Sequence, residues 1–217
     1  MVLGGLSATL LLAACSSPTS PAAIATTSQS TSLQSTTSYA TTTVTTALAN
    51  PTLTCGSPST RAFYDGNGLR FDYPTCWTAA HNVEVSTFST SIIDLSNEPM
   101  HDPCTTTASS TVCGWPLTKL AADGVLVRWS SNGKPGWRLQ QDPGTSLTVG
   151  GLAARKQVSQ PGDCGSIGAD ETIAVEAARS ALYNYYAMTA CLRGPDLTQA
   201  ASQVQQMLTS TTFTNTG

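Results

Sequence analysis

Charged side chains are absent from the first 60 residues of this 217-residue chain, and the first one is Arg61. All 10 Lys and Arg residues and all 13 Asp and Glu residues follow it. Ten basic residues without a cluster exclude the basic stripe that is typical of nucleic-acid-binding proteins. The remaining length, about 160 residues, is enough for one domain with its own hydrophobic core.

Groups that carry common chemistry are also scarce. His81 and His101 are the only histidines that could serve a Ser-His-Asp triad, and no Gly-x-Ser-x-Gly occurs. No Cys-x-x-Cys occurs, which excludes the usual redox and zinc-knuckle patterns. His101 and Asp102 would need further ligands to form a metal site, so an exposed loop histidine is the favoured interpretation. We therefore expect no metal and no cofactor, and we favour a protein that is not an enzyme.

Residues 1–14, MVLGGLSATLLLAA, form an apolar run that is too short to span a bilayer as a helix. Such a run, ending in small residues, predicts a secretion signal, although it opens without Lys or Arg. The stretch Leu12-Ala13-Ala14-Cys15 resembles the lipobox of bacterial lipoproteins, in which the cysteine thiol is joined to diacylglycerol. The resemblance implies a lipid anchor at Cys15 on the outer face of the cell membrane. The alternative is a buried cysteine in an ordinary apolar segment.

A polar, uncharged tract separates Cys15 from the first charged residue. Residues 16–50 contain 19 Ser and Thr residues, and such a segment buries too little apolar surface to offset its ordering entropy. We predict a disordered tether over residues 15–54 and a single domain over residues 55–217. The tether is either a bare linker or an O-glycosylated stalk.

Six cysteines remain if Cys15 is lipidated, and an even number in an exported domain predicts three disulfides. The short polar loop between Cys104 and Cys113 favours a bridge there. Cys164 and Cys191 flank a predicted hairpin. Cys55–Cys76 follows by elimination.

Alternating apolar and polar residues predict strands at 69–73, 83–88 and 91–97. Three hairpins are predicted next, because turn signals separate paired strand patterns. They join 124–131 to 136–141 around Asn132-Gly133, 146–149 to 152–158 around Gly150-Gly151, and 171–178 to 183–192. Residues 116–124 are predicted to form a short helix.

The segment 194–210 predicts a C-terminal amphipathic helix. Pro195 suits the first helical position and Asp196 suits the helix N-terminus. Its apolar face consists of Leu197, Ala200, Ala201, Val204 and Leu208. The predicted fold class is α+β, an antiparallel sheet of six to eight strands with this helix on one face and disulfides as staples.

Three segments carry a family resemblance, namely GNGLRFDYPTCW (66–77), CGSIGAD (164–170), and ACLRGPD followed by QVQQMLTSTTF (190–213). They resemble small exported lipoproteins of mycobacteria and related actinobacteria. The Gly, Phe-x-Tyr-Pro and Trp pattern with a closing helix is also similar to the PsbP-like fold of LpqN-type lipoproteins. The resemblance implies a PsbP-like domain in the cell envelope and supplies no catalytic residues. The extra cysteines depart from the general PsbP-like pattern.

Two groups of side chains are candidates for a functional site. Aromatic residues could line a groove for a sugar or lipid, although a purely structural role in the core is favoured. Carboxylates near a glycine-rich loop could bind a cation or act as acid and base, although solvated loop carboxylates are more common. The aromatic candidates are Tyr183, Tyr185, Trp129 and Trp137, and the carboxylates are Asp163, Asp170 and Glu171.

Three functions remain open from the sequence. The favoured one is a non-enzymatic envelope lipoprotein that binds a cell-wall partner protein or an amphipathic ligand such as a glycolipid. The second is a wall-associated hydrolase that uses the loop carboxylates. The third is a structural or antigenic surface protein.

Overall fold

A computed structural model describes residues 60–81, 84–179 and 183–214. These residues belong to one compact unit, Leu48–Gly217. The predicted signal, the tether, Cys15 and Cys55 lie outside the described residues. The elements within the described residues are β1 (Arg61–Gly66), β2 (Leu69–Pro74), β3 (Thr78–Ala80), β4 (Ser89–Ser96), β5 (Cys104–Thr106), β6 (Thr111–Cys113), β7 (Val125–Gly133), β8 (Thr145–Val149), β9 (Leu152–Ser159), β10 (Glu171–Ala178), β11 (Asn184–Leu192), α1 (Leu197–Ser210) and β12 (Thr212–Phe213).

A seven-stranded antiparallel sheet dominates the fold, with the order β3-β4-β7-β11-β10-β9-β8. Its two long hairpins, β8–β9 and β10–β11, are those predicted from the sequence. A three-stranded sheet, β1-β2-β12, and a two-stranded hairpin, β5-β6, complete the strands. The coarse α+β prediction is confirmed. However, the strands divide into three sheets, and the 69–73 strand lies in the three-stranded one.

The main core lies on one face of the seven-stranded sheet, which we call the inner face. Alternation along β10 and β11 turns Val175, Tyr186 and Met188 to this face, where they are buried. Helix α1 and the three-stranded sheet cover it, and Phe71 of β2 stacks on Trp129 of β7 with ring centroids 5.7 Å apart. One hydrophobic core thus joins both sheets and the helix.

Helix α1 begins two residues later than its proline signal indicates. Pro195 precedes the cap, and the Asp196 side chain accepts a hydrogen bond from the Gln199 backbone N–H at 3.0 Å. The helix buries Val204 and Leu208 of its predicted apolar face, and it buries Met207 as well. The amphipathic helix is confirmed, and Asp196 rather than Pro195 sets its start.

Three local predictions are wrong. Asn132-Gly133 is not a turn, because β7 runs through it and Asn132 pairs with both Ser89 and Tyr185. Residues 116–124 form no helix. In the segment 83–88, Val85 makes an isolated bridge to Thr90 instead of a strand, and residue 83 lies outside the described residues.

Two of the three predicted disulfides are present. Cys104–Cys113 joins paired positions of the β5–β6 hairpin, with a Cα–Cα distance of 4.0 Å. Cys164–Cys191 ties the 3₁₀ helix Gly162–Ile167 to β11, with a Cα–Cα distance of 5.4 Å. Cys76 is also disulfide-bonded, and its predicted partner Cys55 lies outside the described residues.

Candidate functional site

The site begins with the face of the seven-stranded sheet that points away from α1, which we call the outer face. A small second core covers one part of this face, where Leu126 and Cys191 pack against Leu117 and Leu120. Another part lies under the segment 134–143, which follows β7. This segment turns at once, since the Trp137 N–H donates to the Lys134 carbonyl at 3.0 Å, and it continues into a 3₁₀ turn at Leu139–Gln141.

Two aromatic rings meet where this segment crosses the sheet. Trp137 stacks on Tyr185 of β11 with ring centroids 4.2 Å apart and an interplanar angle of 18°. Tyr185 is half-buried, and Trp137 is 8 % exposed. Offset stacking of this kind contributes about 0.5–1.5 kcal/mol beyond simple burial. The stack holds the 134–143 segment against the outer face.

Two carboxyl groups lie beside the aromatic pair. Glu176 of β10 is half-buried, and the Trp137 indole N–H donates to its Oε2 at 3.4 Å. Asp142 approaches Glu176 from the end of the 134–143 segment. Burial, together with hydrogen bonding to and repulsion by Asp142, raises the pKa of Glu176 from its usual 4.5 to about 7, against the opposing effects of Trp137 and Lys134. We call Asp142 and Glu176 the carboxyl pair.

The carboxyl pair contains an acceptor atom without a donor. Asp142 Oδ2 is buried, and no N–H or O–H of the described residues donates to it. Two ionised carboxylates repel each other, and the raised pKa of Glu176 means that it keeps a proton closer to neutral pH than an ordinary glutamate does. Burial and the two nearby carboxyl groups also raise the pKa of Tyr185. The carboxyl pair is therefore rich in acceptors.

A small cleft opens beside the carboxyl pair. Its volume is about 80 Å³, and it is lined by Asp142, Pro143, Arg155, Gln157, Ala174 and Glu176. Arg155 of β9 lies directly opposite Glu176 in the strand register. Its guanidinium donates instead to the Gly144 carbonyl at 2.9 Å. The lining of the cleft thus includes two acidic side chains and one basic side chain.

The arrangement suits recognition of a small polar group. Stacked aromatic rings give contact area, and carboxyl, amide and guanidinium groups give directional hydrogen bonds. A carboxyl group that holds its proton near neutral pH can also act as a general acid. The geometry is therefore compatible with ligand binding and with proton transfer.

The structure brings together two of the four aromatic candidates, Trp137 and Tyr185. Tyr183 precedes β11 and is 45 % exposed. Trp129 is a correction: it is fully buried on the inner face, because it pairs with Met188 rather than with Tyr185 in the strand register. It packs between Phe71 and Phe213 in the core and cannot line a groove.

In the part of the chain that the structure describes, no hydrogen bond or ion pair joins the loop carboxylates to one another. Asp163 and Asp170 are exposed, and Asp170 accepts a hydrogen bond from the Gly194 N–H at 2.9 Å, which secures the chain after β11. Glu171 is the first residue of β10. Within the described residues, no three His, Cys, Asp or Glu side chains group so that they could hold a metal ion.

Sequence reasoning missed Asp142, Arg155 and Glu176. Glu176 is one polar residue in the alternating pattern of β10, and Asp142 is separated from it by 34 positions. The only signal available was the alternation itself, which places Arg155 and Glu176 on the same face of adjacent strands once the two hairpins are drawn.

No protein-family model matches the chain, and no curated protein is significantly similar to it. Among the described residues, no helix has the length and apolar character needed to cross a bilayer. The functional argument therefore depends on the site itself.

Proposed function

We propose that this protein is an exported, lipid-anchored envelope protein whose domain binds an amphipathic ligand at the outer face. The observation that carries the proposal is the convergence of Trp137, Tyr185 and the carboxyl pair beside one cleft. Tyr185, which is half-buried, offers an apolar contact, and the cleft offers polar ones. A cell-wall protein or a glycolipid that presents both kinds of surface is the partner class that we infer.

The anchor and the fold family belong to the same proposal. The lipobox-like stretch ending at Cys15 and the Ser/Thr tract after it support an envelope location. The seven-stranded antiparallel sheet with a C-terminal helix on one face supports a PsbP-like domain of the kind found in LpqN-type lipoproteins. In this arrangement, the tether holds the domain away from the membrane while it binds its ligand.

Native mass spectrometry of the full chain, isolated from an actinobacterial host, tests the binding function. We expect a co-purified ligand on the wild type that is lost from Trp137→Ala, because this change removes the stacked ring and the indole donor. Asp163→Asn changes an exposed carboxylate outside the site and is the matched control. Retention of the ligand by Trp137→Ala would place binding elsewhere.

A hydrolase is the second candidate, and one observation favours it. The pKa of Glu176, raised to about 7, makes it a proton donor near neutral pH, and Asp142 lies beside it. Incubation with isolated cell-wall material tests this candidate. Products that appear with the wild type and with Asp163→Asn, but not with Glu176→Gln, would support hydrolysis over binding.

A further inference from the structure

Glu176 and Arg155, an acidic and a basic side chain, directly face each other and yet do not pair. They occupy register positions of β10 and β9 on the same sheet face. Cβ atoms at such positions lie roughly 4.5–5.5 Å apart, close enough for an ion pair. No salt bridge or hydrogen bond joins these two side chains in the structure. Something other than their mutual attraction sets their positions.

A second pair on the same outer face shows the ordinary outcome. Asp94 and Arg128 are also directly opposed, on β4 and β7. Their side chains form two hydrogen bonds, at 2.8 and 3.0 Å, with Asp94 only 1 % exposed. The sheet therefore permits cross-strand ion pairs on this face.

Glu176 and Arg155 each make a contact with another group instead. Glu176 accepts a hydrogen bond from the Trp137 indole N–H and interacts with Asp142. Arg155 donates to the Gly144 carbonyl. Both residues line the cleft of about 80 Å³. An acidic and a basic side chain that line one small cleft without pairing are complementary to a ligand that carries both an ammonium and a carboxylate.

We propose that the cleft binds a small zwitterionic group, an α-amino acid or the end of a peptide, with its ammonium on the carboxyl pair and its carboxylate on Arg155. This inference rests on the proposed binding function and names the polar part of the ligand. The ammonium supplies the donor that buried Asp142 Oδ2 lacks. A volume of about 80 Å³ has room for the two charged groups and a short side chain, while the rest of the ligand extends toward Tyr185.

Binding of an ammonium beside Glu176 favours its ionised form and so displaces the proton that it keeps near neutral pH. The charged or titratable groups around Glu176 are Asp142 and Lys134 on the 134–143 segment, Tyr185 on β11 and Arg155 on β9. Of these, only Asp142 bonds to the protonated form of Glu176. We therefore expect binding to release close to one proton when the solution pH is below about 7, and to weaken as the pH falls.

Calorimetric titration of the full chain in detergent tests the inference, with alanine, ethylamine and propionate as probes. Ethylamine and propionate each carry one of alanine's two charged groups. We expect alanine to bind at least tenfold more tightly than either, with proton release that is visible in buffers of different ionisation enthalpy. Arg155→Gln should reduce alanine affinity to that of ethylamine and leave ethylamine affinity unchanged. Asp163→Asn is the control.

Several outcomes would overturn the inference. Equal affinity for alanine and ethylamine would show a cation site, and equal affinity for alanine and propionate an anion site. Unchanged alanine affinity in Arg155→Gln would remove the assigned carboxylate contact, and Arg155→Lys provides a second variant if Arg155→Gln fails to fold. If no probe binds while Trp137→Ala still loses the co-purified ligand, the ligand class is wrong and the binding function stands.

Discussion

Glu176 is the residue whose protonation couples the site to the stability of the domain. Its pKa in the folded protein is about 7 and its usual value is 4.5, so the folded state holds this proton more tightly than the unfolded state does. The stabilisation is fully present below about pH 4.5 and is lost as the pH rises through about 7. Above about pH 7, the ionised carboxylate no longer contributes this stabilisation.

Glu176→Gln should therefore flatten the pH dependence of stability. Between pH 4.5 and 8, we expect the ionisation of Glu176 to cost the wild type about 1–2 kcal/mol of unfolding free energy after solvent screening is discounted. The variant should lose little of this free energy. This corresponds to roughly 3–6 °C in melting temperature for a domain of this size. Thermal melts at several pH values check the difference, with Glu171→Gln as the control. Parallel pH curves for the wild type and Glu176→Gln would contradict the assignment.

The residues of the site show why sequence reasoning reached only part of it. Tyr185 and Trp137 were found because aromatic residues are rare in this chain and therefore conspicuous. Asp142 and Glu176 belong to elements that meet only in three dimensions, and neither lies in a spacing motif. The unpaired state of Arg155 depends on the Gly144 carbonyl and on Trp137, so no linear pattern could have revealed it.

At the scale of elements, strand pairing overrides the local preference of Asn132-Gly133 for a turn. Asn132-Gly133 is a strong hairpin signal in isolation, but β7 is an interior strand, bonded on both sides along its length. Breaking it at Asn132 would leave backbone groups of two neighbours unpaired. The hairpins around Gly150-Gly151 and before Asn184 were predicted correctly because their turns lie between consecutive strands that pair with each other.

Helix α1 closes the inner face, so its apolar side chains should carry much of the stability. Leu208 is 3 % exposed in the main core, and Leu208→Ala should cost about 2–5 kcal/mol through lost burial and the cavity left behind. Ser202→Ala, at an exposed position of the same helix, should stay within about 0.5 kcal/mol of the wild type. Urea denaturation measures both. Similar costs for the two variants would mean that α1 does not pack as described.

The two described disulfides should differ in their contribution. Cys104–Cys113 closes a chain separation of 9 residues, and Cys164–Cys191 closes one of 27. Loop-closure entropy gives about 2.7 kcal/mol for the first and about 3.6 kcal/mol for the second. Cys164 and Cys191 are also fully buried in the second core.

Replacing each pair with alanines tests this difference. We expect the Cys164→Ala, Cys191→Ala double variant to lower the melting temperature more than the Cys104→Ala, Cys113→Ala variant. Peptide mapping under non-reducing conditions first establishes that the remaining bridges are intact. The reverse order of melting temperatures would show that the β5–β6 hairpin supports the fold more than its surface position suggests.

At the scale of the whole molecule, the proposed function requires the chain to stay at the membrane. Each buried methylene contributes about 0.8 kcal/mol, and one acyl chain alone gives only reversible binding, so a diacylglycerol at Cys15 provides what a single chain would not. Cys15→Ala should move the protein from the detergent phase to the aqueous phase or leave it unprocessed. Ser16→Ala, which keeps the thiol, should behave like the wild type. Membrane partitioning and intact mass check both variants, and unchanged partitioning and processing of Cys15→Ala would refute the lipid anchor.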